Sequence, residues 1–183
     1  MKEKFFEDTD EAKRLANYKL PRYNEISDFG IYMEQLIYFL DKHLNEFLIP
    51  GEEKYLTPSM INNYVQKKVI DAPVKKKYNK VHIAHLLVIR ILKQILPIPD
   101  IANLINIALK EYPIDIAYDY FCRELETALN ATFATRAFSQ IEKGFVSKKT
   151  PLSENFRSAV LSFASRVYVR KSLYFELELS KKD

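Results

Sequence analysis

Apolar residues recur at three- and four-residue steps through Met33, Leu36, Ile37, Leu40, Leu44, Phe47 and Leu48, the spacing of one helix face, and Pro50-Gly51 ends the run. Ser27 or Asp28 is placed to cap this helix. Thr57-Pro58 opens a second helix reaching about residue 68, with a hydroxyl N-cap followed by proline at the first helical position. Met60, Ile61, Tyr64 and Val65 form its apolar stripe, and Ser59, Asn62, Asn63, Gln66 and Lys67 take the other side. Residues 69–74 are too apolar and too proline-marked for a helix; with Lys75-Lys76-Lys77-Tyr78 they predict a small hairpin.

Asn79 caps a buried helix over residues 80 to about 96, leaving His82, Arg90, Lys93 and Gln94 for its exposed side. Pro97 and Pro99 stop it, and Pro99 or Asp100 starts another helix to about Glu111. Beyond Pro113 the pattern is helical over residues 114–143, residues 144–153 read as a linker, and Phe156, Val160, Phe163, Ala164 and Val167 mark a last helix. Leu173, Phe175, Leu177 and Leu179 alternate in the strand period, so the last ten residues stay open between helix and strand. Ahead of all this, residues 1–18 are charged and irregular, an arm or short helix, before Leu20-Pro21-Arg22-Tyr23 runs extended.

With 183 residues, 48% of them hydrophobic and only three glycines, the chain can bury a sizeable core and is expected to be mainly all-α. The single cysteine, Cys122, allows neither an internal disulfide nor a paired-cysteine metal site, which points to the cytoplasm. No secretory signal or membrane span is legible: the greasiest stretch, residues 83–96, is interrupted by His85, Arg90, Lys93 and Gln94. No membrane partner is expected. Charge changes the picture more. Residues 1–53 hold seven basic against twelve acidic side chains, a net of −5; residues 54–93 hold nine against one, a net of +8; the remainder carries +1.

A helix, a short proline-started helix with an amide-rich face, a basic hairpin and a buried helix follow one another in the order of a winged helix-turn-helix. Short amide side chains suit the edges of adenine in a major groove, and lysines beside them suit phosphates. The candidate DNA-binding residues are therefore Thr57, Ser59, Asn62, Asn63, Gln66, Lys67, Lys75, Lys76, Lys77 and Tyr78, the three consecutive lysines forming the wing. Tyr64 and Tyr78 read as packing anchors whose hydroxyls reach a phosphate or backbone group. His82 and His85 lack a carboxylate or cysteine at partner spacing and read as flanking residues rather than metal ligands. Asp115, Asp119, Glu124 and Glu126 read as an acidic helix start compensating the dipole rather than a catalytic pair, and Cys122 as core. No phosphate loop or nucleophile motif is present, so neither an enzyme nor a cofactor is expected.

The residues also resemble known families. Leu56-Thr57-Pro58-Ser59-Met60-Ile61-Asn62-Asn63-Tyr64-Val65, then Ile70 and Pro73, Tyr78 and Ile98-Pro99-Asp100-Ile101 look like the MerR-type DNA-binding domain. With Leu20-Pro21-Arg22-Tyr23 and Tyr32-Met33-Glu34-Gln35 they resemble still more closely a bacterial family, domain of unknown function 1836, described as MerR-like. The MerR Arg-Tyr-Tyr triplet reads Asn62-Asn63-Tyr64 here, Lys68 stands where a glycine usually follows the recognition helix, and the cysteines of metal-sensing relatives have no counterpart.

The resemblance implies a MerR-like winged helix-turn-helix with a small β-wing plus a C-terminal helical region, in a cytoplasmic, nucleoid-associated bacterial transcriptional regulator. It divides into an arm (residues 1–19), a DNA-binding domain (20–110) and a helical dimerisation or sensor region (111–183). The expected partners are double-stranded DNA, a second copy in a homodimer and a small-molecule effector. The alternative is a helical protein-interaction adaptor that kept the winged fold without binding DNA.

Overall fold

The computed structural model describes residues 5–51, 56–135 and 149–181. They are mainly helical, as the scarcity of glycine and the three- and four-residue periodicity predict: α1 (Asp10–Ala16), α2 (Met33–Leu44), α3 (Pro58–Gln66), α4 (Lys80–Leu92), α5 (Ile98–Glu111), α6 (Ile114–Asn130) and α7 (Pro151–Ser180). The chain divides into two compact units, residues 21–121 and residues 1–20 with 122–183.

In the unit of residues 21–121, α4 is the axis. It packs against α2 and α5, and ten of its thirteen residues are buried. Covered on both flanks, it has no wide solvent face, which corrects the expected exposure of His82 and Arg90: both are buried. Each has a structural task. The His82 ring Nδ1 accepts from the Asn79 N–H at 3.1 Å while Asn79 Oδ1 accepts from the N–H groups of Val81 and His82, closing the helix start. Arg90 reaches the Tyr64 hydroxyl at 3.5 Å, so that hydroxyl faces a core guanidinium rather than a phosphate.

The helix α2 begins four or five residues later than Asp28 or Ser27 would set it. Ile31 first exchanges two backbone hydrogen bonds with Tyr78 (2.9 and 2.8 Å), which holds residues 27–31 out of helical geometry; Tyr32 then caps α2, its N–H donating to the Gln35 side chain at 3.0 Å. The expected β-wing is also corrected. Among the described residues there is no strand, only two isolated antiparallel bridges, Ile31 with Tyr78 and Val74 with Lys77. Pro73 removes a donor on one side of the turn and Asn79 starts α4 at once on the other, leaving no length in which a ladder could grow. The extended segment at Pro21 is fastened to α6: the Tyr118 hydroxyl donates to the Pro21 carbonyl at 3.0 Å and the Tyr23 N–H to Asp119 at 2.8 Å.

In the other unit, α1 buries Ala12 and Leu15 and packs against a π-helical turn, Ala131–Thr135, that continues α6. Of the two readings the sequence leaves for this stretch, an arm or a short helix, residues 10–16 take the short helix, with one face buried. Phe6 sits edge-on to Phe133 and Tyr168 and 5.9 Å from Phe175, so this aromatic cluster is core packing. Glu124 and Glu126 are corrected as well: they lie deep in α6, not at its start, and are buried in ion pairs with Arg157 (3.1 Å) and Lys19 (2.8 Å). Thr150 caps α7 by exchanging bonds with Ser153, so Pro151 to Ser153 are helix rather than linker; residues 136–148, which carry the rest of the expected helix and linker, lie outside the described residues. The C-terminal residues are helical through Ser180. Their alternation gave way because Phe175 turns toward Phe6, whereas Leu173 and Leu177 face outward on the same helix.

Candidate nucleic-acid interface

The proline-started helix α3 is positioned by two buried anchors, Ile61 and Tyr64, and by its N-cap, where Thr57 Oγ1 accepts from the Met60 N–H at 3.3 Å. With those anchors turned inward, Ser59, Asn62, Asn63, Gln66 and Lys67 are all exposed on one face, at the i, i+3, i+4, i+7 and i+8 spacing that aligns side chains. Met60, expected in the apolar stripe, is 40% exposed at the edge of this row. Together Ser59, Met60, Asn62, Asn63 and Gln66 line an open depression of about 620 Å3.

The end of α3 is unusual. Lys68 has a φ of +55°, and the N–H groups of Lys68 and Val69 donate to the carbonyls of Val65 and Tyr64 at 3.0 and 2.9 Å, the two-bond C-terminal cap that normally carries glycine. The chain then runs to a second left-handed site. Val74 and Lys77 exchange both backbone hydrogen bonds (3.1 and 2.9 Å) around Lys75 and Lys76, whose φ values are +48° and +64°. This is a two-residue turn of the kind that favours Asn-Gly, here held by two lysines at a cost of about 1 kcal/mol or more each. All of Lys75, Lys76 and Lys77 are exposed.

Nine of the ten sequence candidates therefore face solvent. Tyr78 does not: it is 3% exposed, burial holds its hydroxyl above the ordinary tyrosine range, and its ring lies edge-on to His82 at 5.5 Å. It is a core residue whose backbone forms the bridge to Ile31, and it leaves the candidate set.

That bridge brings in residues that were not among the DNA-binding candidates. Gly30, Ile31 and Tyr32 lie beside the lysine turn, with Phe29 just before them in the same segment; Lys77 Nζ stands 5.3 Å from the centre of the Tyr32 ring, and Lys80 pairs with Asp28 while lying 5.0 Å from the Tyr23 ring. A Cβ on Gly30 would come within 2.9 Å of Lys77 Cβ, so only glycine lets the two segments approach this closely. Gly30, one of only three glycines in the chain, was the local signal for this close approach.

Among the described residues no group of three or more His, Cys, Asp or Glu side chains is arranged to hold a metal ion, and no helix is long and apolar enough to cross a membrane. The single cysteine, Cys122, is buried.

A family model for a domain of unknown function, DUF1836, matches residues 21–121, and the chain belongs to that family. The match covers the same residues as the unit containing α2 to α5, the lysine turn and the start of α6. No curated protein and no solved structure matches the chain.

Proposed function

We propose that residues 21–121 form a MerR-like winged helix-turn-helix in which α3 is the recognition helix and the lysine turn a minimal wing, and that the protein is a sequence-specific DNA-binding transcriptional regulator. One observation carries the reading: an exposed row of four polar side chains on α3, the Ser59 hydroxyl and the Asn62, Asn63 and Gln66 amides, followed by an exposed turn of three lysines. Amides in a major groove pair adenine edges, and ammonium groups on the flanking backbone neutralise phosphates without reading sequence. Solvation alone would be served as well by Glu and Lys on α3, and the strained left-handed lysines are retained where Asn-Gly would fit better, as expected where side-chain charge matters more than turn stability. Val169, Leu173 and Leu177 make an exposed apolar stripe on α7 that supports association of two copies, so DNA is bound as a dimer. The aromatic cluster around Phe6 is filled by its own side chains, so the structure favours no particular effector.

The test is fluorescence anisotropy of labelled duplex DNA with the intact protein at rising salt. If about four phosphates are neutralised per subunit, affinity falls with a log-log slope near −3.6. The triple variant K75E/K76E/K77E should lose binding across all sequences, while N62A, N63A and Q66A should each cost discrimination between sites, about 1 to 3 kcal/mol per lost bidentate pair. Absence of salt-sensitive binding, or full binding by the triple glutamate variant, would overturn the reading in favour of a protein-interaction adaptor.

A further inference from the structure

Phe29 is 84% exposed, more than any other large hydrophobic residue described. It is not on a loose loop. Its own N–H donates to Ser27 Oγ at 3.2 Å, the preceding Asp28 is tied to Lys80 at the start of α4, and two residues later Ile31 is locked to Tyr78 by a pair of backbone hydrogen bonds. Gly30, the next residue, lets this segment press against Lys77, so the segment that carries Phe29 runs beside the turn of Lys75, Lys76 and Lys77. The adjacent acid, Asp28, is paired with Lys80, which Asp115 also influences, and Glu25 accepts from the backbone N–H of Arg22 at 2.7 Å. The result is an exposed aromatic ring on a fixed mount, in a segment bridged to the exposed turn of Lys75, Lys76 and Lys77.

We infer that Phe29 is a wedge that inserts between stacked bases of duplex DNA while the neighbouring lysines hold the phosphates on either side. An exposed ring gains nothing from solvent, but an apolar side chain entering a base step from the minor groove replaces the stacking it disrupts and kinks the duplex. The lysine turn supplies the attraction that brings the ring to the backbone. Tyr38, also strongly exposed at 74%, is a poorer candidate because it sits on the face of α2 among Glu34 and Gln35, without a basic turn bridged to its segment. This inference rests on the DNA-binding reading above and adds to it a distorted DNA conformation and the residue that produces it.

The experiment uses the intact protein and a 30-base-pair duplex with a central TpA step, 2-aminopurine replacing the adenine of that step and a donor and acceptor dye on the two ends. Flexible pyrimidine–purine steps are the easiest to open. Wild-type protein should raise 2-aminopurine emission, reporting unstacking, and shorten the end-to-end distance. The variant F29A, with an unchanged thermal midpoint because its side chain is outside the core, should bind about tenfold more weakly and leave both signals at their free-DNA values. In F29L, which keeps an apolar wedge without a ring, part of the bend should return. Unstacking and bending by F29A equal to wild type overturn the wedge while leaving DNA binding intact. Tighter binding of the separated single strand than of the duplex overturns it in favour of a stacking platform. No duplex binding by the wild type overturns the DNA-binding reading itself, and the wedge with it.

Discussion

His85 illustrates how one side chain sets a property of the whole unit. Its ring is largely enclosed on α4, its Nε2 is buried with no hydrogen-bond partner among the described residues, and burial pulls its pKa below the ordinary histidine value; Asp71 opposes that shift and His82 adds to it. A histidine whose folded-state pKa is depressed is neutral in the native protein, and the unfolded chain takes up the proton first. The stability it permits is therefore complete above about pH 6.5 and declines as pH falls through that value toward the depressed one. Thermal midpoints measured from pH 7.5 to 5.5 should fall, and the slope should be shallower in H85M, where an apolar chain of similar length replaces the ring. Some slope will remain, since His43 is shifted in the same direction by its own burial. A slope in H85M as steep as in wild type would show that His85 is not the group responsible. The sequence marks His82 and His85 as a pair on one helix but places them at the margin, because periodicity cannot reveal that α4 is covered from two sides.

At the scale of elements, the two left-handed lysine sites make opposite demands on the same chemistry. At the end of α3, Lys68 occupies a position where glycine is free of the Cβ penalty, so K68G should stabilise the protein by about 1 kcal/mol, read as a rise in thermal midpoint. The double variant K75N/K76G should gain a similar amount or more by giving the turn the residues its backbone favours, yet weaken DNA binding and reduce the salt slope by about 1.8, close to 0.9 per lysine removed. Unaltered binding by K75N/K76G would mean that the turn carries these lysines for some reason other than phosphate contact. Much of this organisation is legible in the sequence: the Thr57-Pro58 start, the Asn79 cap and the two-faced pattern of α3 are local signals, and local capping chemistry decides them. The turn is legible as a turn but not in its extent, because a ladder depends on what lies opposite, and here only Ile31 and Tyr78 meet. Phe29 escapes a linear reading for the same reason, since its significance comes from a bridge between segments nearly fifty positions apart.

At the scale of the whole molecule, the proposed dimer would form through the outer face of α7. Val169, Leu173 and Leu177 are 53%, 53% and 61% exposed at successive four-residue steps, while Phe163, Val167 and Phe175 of the same helix serve the core. A second copy running antiparallel, centred on Leu173, would bring Val169 level with Leu177 of that copy and Arg170 level with its Glu176. The stripe would then close on itself with opposite charges at the same height, and the two helix dipoles would oppose. Three apolar side chains per copy fall well short of the roughly 800 Å2 per partner of a standard interface, so the association should be weak and concentration-dependent rather than obligate. Sedimentation velocity over a range of concentrations should show the average mass rising with loading, and L173E should stay monomeric throughout. The charge argument has its own test: R170E and E176R should each self-associate less than wild type, because each places like charges at one level. An equimolar mixture of the two should recover association, since one variant is acidic at both positions 170 and 176, the other is basic at both, and every level then pairs opposite charges. A wild-type chain that remains monomeric at the highest concentration would remove α7 as the dimer surface; a mixture no better than its components would retain the apolar stripe but not the antiparallel register.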